Sequence, residues 1–369
     1  MSFFHRLYII LAGLLLITLL AACAGPAATP APLPATPTSI QVNDALGRTI
    51  NLPRSPQRIV VAGRAIFMIA DALYLFPNVS SRIVAIGKFG QSQRNFIPAL
   101  DPTYESKVHL EIDAGPEQIV PLRPDVVLLK AIMAERLGKP LEELGIPVVY
   151  LDLETAEQYQ RDLMMLGELF QNERRARELQ AFFQQRVERI TKALADVKEE
   201  QKPRVLLISY SERDGTVAFN VPPAGWIQTW MVQTAGGRPI WTDAGAGQGW
   251  IKVGMEQIAA WDPDQVYVIA YNNPINQVVD RLKADPQWKA LRSVKTGRLY
   301  GFPGDYYSWD QPDTRWILGL TWLAGRVHPD RFPELNMERE IRTFYKELYY
   351  LDDEAFQKLV QSYLSGDWQ

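Results

Sequence analysis

The sequence predicts an α/β protein of two lobes joined by one long helix. Residues 111–129 read EIDAGPEQIVPLRPDVVLL and residues 250–269 read WIKVGMEQIAAWDPDQVYVI. Both contain Glu-Gln-Ile, four further residues, then Pro-Asp-x-Val in an apolar run, which indicates a short helix, a turn and a buried parallel strand. Between them, apolar residues recur at helical spacing from Asn172 to Lys202. Two such units so far apart in the chain indicate two lobes, and the periodic segment is the helix that connects them.

Other apolar runs extend this pattern in both halves. IVVA at 59–62, IVAI at 83–86 and PVVYL at 147–151 are typical of buried strands, as are VLLIS at 205–209 and RLY at 298–300. The last part of the chain is again helical in pattern and rich in Tyr and Phe. We therefore expect an N-terminal lobe over 41–171, a connecting helix over 172–202, a C-terminal lobe over 203–336 and a helical segment over 337–369.

The N-terminus predicts export and lipid attachment. Residues 1–22 contain a short basic start, an apolar core and small residues, as in a signal peptide. Leu20-Ala21-Ala22-Cys23 resembles the bacterial lipoprotein box, in which the cysteine receives a diacylglycerol. Residues 23–40 are rich in Pro, Ala and Thr, which is typical of an extended spacer. We expect an extracytoplasmic protein held on a membrane by a lipid on Cys23, the alternative being a stray cysteine in an ordinary signal.

Composition and motifs argue against several functions. The 369 residues carry a formal net charge of only -3, which does not favour nucleic-acid binding. One cysteine allows no disulfide within the chain, and the three histidines have no metal-site spacing. There is no Gly-x-Ser-x-Gly, no phosphate-binding Gly-rich loop and no His-Glu-x-x-His. We therefore expect no enzyme activity, no resident metal and no cofactor.

Loops that follow strands are the places to search for ligand contacts, because ligands of α/β proteins lie outside the carboxyl ends of the strands. Cationic and aromatic side chains in these loops suit a bulky, planar or anionic chelate. Aromatic residues in such loops can also be packing, and an arginine at 315 can be a helix-starting residue held by nearby aspartates. The ligand-binding candidates in these loops are Arg64, Lys88, Lys130, Tyr306, Tyr307, Trp309, Asp310 and Arg315.

Several segments together carry a resemblance to a known family. They are the two Glu-Gln-Ile units, DALGRTINLPRSPQRIVV, LGIPVVYLD, WKALRSVKTGRLYGFP and WDQPDTRWILGLTWLAGRVHPDRF. In order and spacing they resemble periplasmic binding proteins for ferric siderophores, haem and cobalamin, over almost all of residues 41–332. The resemblance implies two Rossmann-like lobes bridged by one helix, with the ligand in the cleft between them. Trp250 matches the place where cobalamin-binding members set an aromatic residue against the ligand, so it joins the ligand-binding candidates.

The resemblance also implies partners. Glu117 and Glu256 match the two acidic residues, one per lobe, that pair with arginines of an ABC permease dimer and its ATPase; the local alternative is a carboxylate at a helix start. A monomer that delivers a small-molecule metal chelate is expected. A ferric siderophore is the first choice and a corrinoid the second, with haem and molybdate or tungstate also open. A ligand-sensing surface lipoprotein is the alternative outside transport.

Overall fold

The computed structural model describes residues 39–90, 94–245 and 249–369. The expected signal peptide, Cys23 and nearly all of the spacer lie outside these ranges. None of the helices in the described ranges is both long and apolar enough to cross a membrane. The strands are β1 Ile40–Asn43, β2 Thr49–Leu52, β3 Ile59–Val61, β4 Ile83–Gly87, β5 Val108–Leu110, β6 Val126–Lys130, β7 Val148–Leu151, β8 Arg204–Arg213, β9 Thr216–Val221, β10 Arg238–Pro239, β11 Ile251–Val253, β12 Gln265–Ile269 and β13 Leu299–Gly301.

Helices separate most of these strands. The α-helices are α1 Ile66–Leu73, α2 Ile97–Leu100, α3 Pro116–Ile119, α4 Lys139–Glu143, α5 Ala156–Leu169, α6 Glu173–Ala193, α7 Ile227–Thr234, α8 Met255–Trp261, α9 Ile275–Ala284, α10 Pro286–Lys289, α11 Arg292–Lys295, α12 Trp316–Val327, α13 Met337–Tyr349 and α14 Asp353–Leu359. Short 3-10 turns occur at Val120–Leu122, Ala131–Met133, Glu199–Gln201 and Gln361–Tyr363, among others, and a π turn at Ala134–Gly138.

The first sheet is parallel, in the order β5-β4-β3-β6-β7. All of the residues of β3, β6 and β7 are buried, because helices and connecting segments cover both faces of the sheet. This explains why the strands read as continuous apolar runs without alternation. A short antiparallel hairpin, β1 with β2, precedes the sheet.

The second sheet follows the order β11-β9-β8-β12-β13, with β10 also paired to β8. Its β8-β12-β13 part is parallel, whereas β9 and β11 are antiparallel additions at one edge. The two Glu-Gln-Ile units fall at equivalent places: α3 leads into β6 and α8 leads into β12, each the fourth strand of its sheet order. The two-lobe α/β fold predicted from that repeat is confirmed.

The connecting helix is α6, and it begins where the sequence predicts. The side chain of Asn172 accepts a hydrogen bond from the backbone N–H of Arg175 at 3.3 Å, which caps the first turn. The predicted end at 202 is wrong, since the helix ends at Ala193 after 21 residues. Leu194 continues the apolar period and is buried, but the chain then turns, with the Val197 N–H donating to the Leu194 carbonyl at 3.0 Å.

One residue of this helix ties three parts of the chain together. Arg175 donates from Nε to the carbonyl of Leu75 in the first lobe and from Nη2 to the carbonyls of Glu347 and Leu348 in α13, all at 2.9 Å. The C-terminal helices therefore pack against the junction of the lobes. The contacts among residues 39–369 make them a single compact unit.

A buried ion cluster joins the lobes directly. Arg315 lies just before α12 in the second lobe, and its Nη1 binds Asp71 of α1 in the first lobe. Nη1 also lies 3.2 Å from Asp313, and Nε donates to Asp305 at 2.6 Å. All four side chains are sealed from solvent, and Tyr345 donates to Asp305 at 2.6 Å. Arg315 thus holds the lobes together, in place of the ligand contact expected from its position in the sequence.

The cluster contains three carboxylates and one guanidinium, so full ionisation would leave excess negative charge in a dry environment. Burial raises the pKa of Asp71 to about 6 and that of Asp313 well above its usual range. The protein relieves part of the repulsion by favouring protonated carboxyls. Removing the arginine would leave the remaining carboxylates without a cationic partner.

We predict that Arg315→Met destabilises the protein by about 3–5 kcal/mol, because it leaves buried charges uncompensated. Urea unfolding measures this difference. The matched control is Arg174→Met, whose side chain is 87% exposed and whose carboxylate partner Glu178 is 3.7 Å away; it is expected to change stability by less than about 0.5 kcal/mol. Equal effects of the two variants would contradict a structural role for the cluster.

Candidate functional site

A cleft of about 770 Å³ lies between the two lobes. Its first-lobe residues come from the segments that follow β3, β4, β6 and β7, at the carboxyl edge of the sheet, as expected for an α/β protein. The volume is in the range of sites that enclose a drug-sized ligand. The lining residues are Ala65, Phe67, Met68, Gly90, Ile132, Glu154 and Thr155 from the first lobe and Gly225, Trp226, Ile227, Gln228, Trp250, Tyr271, Asn272, Gln311 and Pro312 from the second. We call this space the aromatic cleft.

Three aromatic rings form the second-lobe wall. Trp226 and Trp250 lie 5.6 Å apart between ring centroids at 87°, and Trp250 and Tyr271 lie 6.1 Å apart at 67°. These edge-to-face contacts fix the orientation of each ring. Of the three, only Trp250 was among the candidates. Trp226 lies just before α7 and Tyr271 just after β12, so the loop-after-strand rule could have found Tyr271.

A buried carboxyl supports this wall from behind. Asp310 is fully buried and accepts hydrogen bonds from Tyr271 Oη at 2.6 Å and Gln228 Nε2 at 3.2 Å. Burial raises the pKa of Asp310 to about 6, although these hydrogen bonds oppose the rise. Asp310 was predicted to bind ligand; the structure places it behind two residues that line the aromatic cleft. It is a positioning residue for Tyr271 and Gln228.

The first-lobe wall is mostly apolar. Phe67 and Met68 lie on α1, and Ile132, in the 3-10 turn after β6, is 71% exposed. An apolar side chain so exposed at a cleft offers a contact surface for a ligand with apolar parts. None of these three residues was among the sequence candidates, because single apolar residues in a loop give no distinguishing pattern.

Lys130 lies under this wall and is 1% exposed. Its Nζ donates to Glu154 at 2.6 Å, to the Asp152 carbonyl and to Met68 Sδ at 3.2 Å. Burial lowers the pKa of Lys130. The residue therefore holds Glu154 and Met68 in the wall, and its charge is engaged by the protein.

A sharp turn presents Arg64 beside the aromatic cleft. Gly63 has a φ of 85° and Ala65, which lines the cleft, a φ of 54°. A left-handed alanine is uncommon, and such backbone is frequent at binding sites. A side chain at Gly63 would also meet Met133 at 3.0 Å. Arg64 itself is exposed and forms no hydrogen bond or ion pair with any described residue.

The remaining candidates lie away from the aromatic cleft. Lys88 is exposed and paired with Glu111. Trp309 is fully buried and donates to Asp305 at 2.9 Å. Tyr306 donates to the Leu359 carbonyl at 2.7 Å, and Tyr307 accepts from the Phe96 N–H at 3.2 Å. The aromatic side chains of the loop over 302–315 therefore pack at the buried junction of the lobes, while Gln311 and Pro312 of the same loop line the aromatic cleft.

The two candidate docking glutamates are equivalent in position. Glu117 is the second residue of α3 and Glu256 the second residue of α8, and both helices begin after a glycine. Both side chains are exposed, and neither forms an ion pair with a described residue. Although each carboxylate lies at the start of a helix, neither is engaged in an ion pair within the described ranges.

The model for periplasmic binding proteins matches residues 59–306. The chain belongs to the periplasmic binding protein family. The molybdate-binding protein MolA of Haemophilus influenzae is 22% identical over 339 residues, covering 84% of this chain and 90% of that protein. The iron-uptake system-binding protein of Bacillus subtilis is 22% identical over 260 residues, covering 69% of this chain and 77% of that protein. A solved periplasmic solute binding protein from Veillonella parvula has a TM-score of 0.68 at 24% identity, covering 87% of this chain and 97% of that one.

Family membership settles the class of function. As a periplasmic binding protein of an ABC importer, the protein binds a substrate outside the cytoplasm and is not an enzyme. Within the described ranges, no group of three or more His, Cys, Asp or Glu side chains is placed to hold a metal ion. The aromatic cleft is the candidate site for the substrate.

We predict that the Asp310→Asn variant of this periplasmic binding protein gains stability relative to the wild type as the pH rises from about 4 to 7. The folded pKa of Asp310, about 6, lies above the ordinary value of 3.8, so the folded state binds the proton more tightly. The stabilisation that the protonated Asp310 carboxyl gives the wild type is fully present below about pH 4 and is lost as the pH rises through 6. The difference in unfolding free energy should shift toward the variant by on the order of 2 kcal/mol.

Urea unfolding at pH 4.5 and 7.5 measures this shift. Asp280→Asn, at an exposed position of α9, is the control and is expected to give the same difference from wild type at both pH values. A pH-independent difference for Asp310→Asn would show that this carboxyl titrates as it does in the unfolded chain.

Proposed function

We propose that this protein captures a bulky, weakly charged metal chelate, with a ferric siderophore as the first candidate, and delivers it to an ABC permease. The observation that carries the proposal is the aromatic cleft itself, with its volume of about 770 Å³ and its wall of Trp226, Trp250 and Tyr271. A bare tetrahedral oxyanion would fill only a small part of this space. A chelate with apolar surface would contact both walls.

The charges around the cleft support the same class of ligand. Among the described lining residues, Glu154 is the only charged one. Lys130 and Arg315 are buried in ion pairs, which leaves Arg64 as the nearby candidate cation. A multiply charged anion would require several compensating cations, since burial of uncompensated charge is costly. The cleft therefore favours a chelate whose charges are largely neutralised by its metal.

The metal would arrive already chelated, because the described residues hold no ready-made ligand set. A corrinoid combines similar bulk with an apolar ring surface and is the second candidate. Native mass spectrometry with elemental analysis of protein purified from its own host tests the proposal. Iron or cobalt bound with an organic ligand is the expected result, and molybdenum without an organic ligand would contradict it.

We further propose that Glu117 and Glu256 dock the protein on its permease. Two exposed carboxylates on equivalent helices of the two lobes fix an orientation that a single charge cannot. Their lack of ion-pair partners among the described residues leaves their charges available for arginines of another protein. Two such pairs would set register and speed the encounter.

We also propose that a lipid on Cys23 tethers the protein and that the Pro-rich spacer sets its reach. Tethering to the same membrane raises the effective concentration of the binding protein near its permease without adding a contact. Cys23→Ala is expected to move the protein into the soluble fraction with ligand affinity unchanged, as measured by fractionation and titration. Retention in the membrane fraction would contradict lipid attachment at this residue.

We predict that Trp226→Ala and Trp250→Ala each weaken binding of a ferric chelate by about tenfold or more, because each removes a large apolar contact from the cleft wall. Fluorescence or calorimetric titration with ferrioxamine E measures the dissociation constant. Leu144→Ala, at a side chain 60% exposed outside the aromatic cleft, is the control and should leave affinity unchanged. Unchanged affinity in both tryptophan variants would place the ligand elsewhere.

We predict that Glu117→Gln combined with Glu256→Gln reduces uptake by at least tenfold, because docking loses both charge pairs, while ligand affinity stays at the wild-type value. Transport of radiolabelled iron chelate into cells measures uptake, and titration of the purified protein measures affinity. Glu143→Gln with Glu334→Gln removes one exposed carboxylate from each lobe and serves as the matched control. Normal uptake by the Glu117 and Glu256 double variant would rule out the docking role.

A further inference from the structure

A second cavity, of about 390 Å³, adjoins the aromatic cleft and is lined mainly by residues of the second lobe, with Arg94 from the first. The two spaces share Tyr271, Asn272 and Gln311 as lining residues, so they meet at one wall. The second cavity lies beyond the carboxyl ends of β12 and β13, where α/β proteins place ligands. A ligand in the aromatic cleft could therefore extend into it without crossing solid protein.

The chemistry of this cavity differs from that of the aromatic cleft. Five carboxamides line it, from Asn272, Asn273, Asn276, Gln277 and Gln311. Asn276 accepts a hydrogen bond from the Gly366 N–H, and none of the other four side chains forms a hydrogen bond with another described residue. Gln311 is the most informative, because the residue is only 8% exposed and lies where the two spaces meet. Its amide lines the cavity with no protein partner, so it can donate to and accept from a group bound there. We call this cavity the amide pocket.

The charged residues of the amide pocket interact with the protein itself. Asp305 pairs with Arg315 at 2.6 Å and accepts from Trp309 and Tyr345. Arg94 donates to the Asp305 carbonyl at 3.3 Å and lies over the Tyr363 ring at 5.2 Å. The groups that the pocket offers to a ligand are thus neutral donors and acceptors.

The C-terminal tail holds the pocket in shape. Gly304 and Ser365 exchange two backbone hydrogen bonds of 3.1 and 2.9 Å, and the Gly366 N–H donates to the Asn276 side chain at 2.9 Å. These bonds fix the loop after β13 against the start of α9. A pocket supported in this way is formed before a ligand arrives, which lowers the entropy cost of binding.

We propose that the amide pocket binds a neutral amide- or hydroxyl-bearing arm of the ligand whose metal-bearing body occupies the aromatic cleft. This inference rests on the proposed function and narrows its substrate class. The ligand is a metal chelate with a polar, uncharged extension, as in a ferric hydroxamate with amide linkers or a corrinoid with carboxamide arms. Amides of the pocket that hydrogen-bond to the arm of a ligand discriminate against a ligand that lacks the arm.

A pair of probes with the same metal centre tests the proposal. Ferrioxamine E carries amide linkers, whereas tris(acetohydroxamato)iron(III), kept intact by excess acetohydroxamate, has the same ferric hydroxamate centre without them. Cyanocobalamin represents the corrinoid source. Calorimetric titration of the full-length wild type is compared with the double variant Gln311→Met with Gln277→Met, which keeps side-chain size but removes two amides. Gln233→Met, at an exposed position of α7 outside both cavities, is the control.

The double variant is expected to bind ferrioxamine E about tenfold more weakly than the wild type. Its affinity for tris(acetohydroxamato)iron(III) is expected to be unchanged. If the wild type takes cyanocobalamin instead, the same loss on that probe supports the proposal and assigns the arm to a corrinoid. Two results would contradict a ligand role for the amide pocket and leave the proposed function standing. One is an equal loss of affinity for both ferric probes in the double variant. The other is no loss of affinity for the amide-bearing chelate that the wild type binds. Failure of the wild type to bind all three probes would overturn both.

Discussion

The position of the two lobes depends on the buried pairing of Arg315 with Asp71. Asp71 lies on the helix that supplies Phe67 and Met68 to one cleft wall, and Arg315 follows the loop that contributes Gln311 to the other. A charge pair sealed from water has little freedom to separate, because each partner would then be buried alone. The aromatic cleft therefore has walls set by the same cluster that stabilises the junction of the lobes.

This constraint also explains why cations identified in the sequence do not form an anion site. Arg315, Lys130 and Lys88 each have a carboxylate partner in the structure. Loops that follow buried strands can contact a ligand, and they can also join the lobes. The sequence pattern of such a loop is the same for both roles. Arg64 differs because a strained turn places it at the surface, with no such partner within the described ranges.

The architecture was predictable to the level of strands because its signals are local. Continuous apolar runs predicted the parallel strands, the Glu-Gln-Ile repeat predicted the equivalence of the lobes, and Asn172 marked the start of the connecting helix. The end of that helix was not predictable, because Leu194 keeps the apolar period at the residue where the helix ends. The cleft was harder still: Trp226, Ile132 and Gln311 come together only through the packing of distant segments, and Asp310 matters through Tyr271 and Gln228.

Burial shifts the pKa values of two ionisable groups next to the cleft in the direction that favours their neutral forms. Lys130 beneath one wall has a lowered pKa and Asp310 behind the other a raised one, and both shifts follow from loss of hydration. Among the described lining residues only Glu154 is charged, and it pairs with Lys130, so recognition there depends on shape, apolar area and hydrogen bonds. For a chelate, such a site selects through the organic shell more than through the metal ion, since the shell is what meets the rings and the amides. Changing the shell at constant metal should then alter affinity more than changing the metal at constant shell.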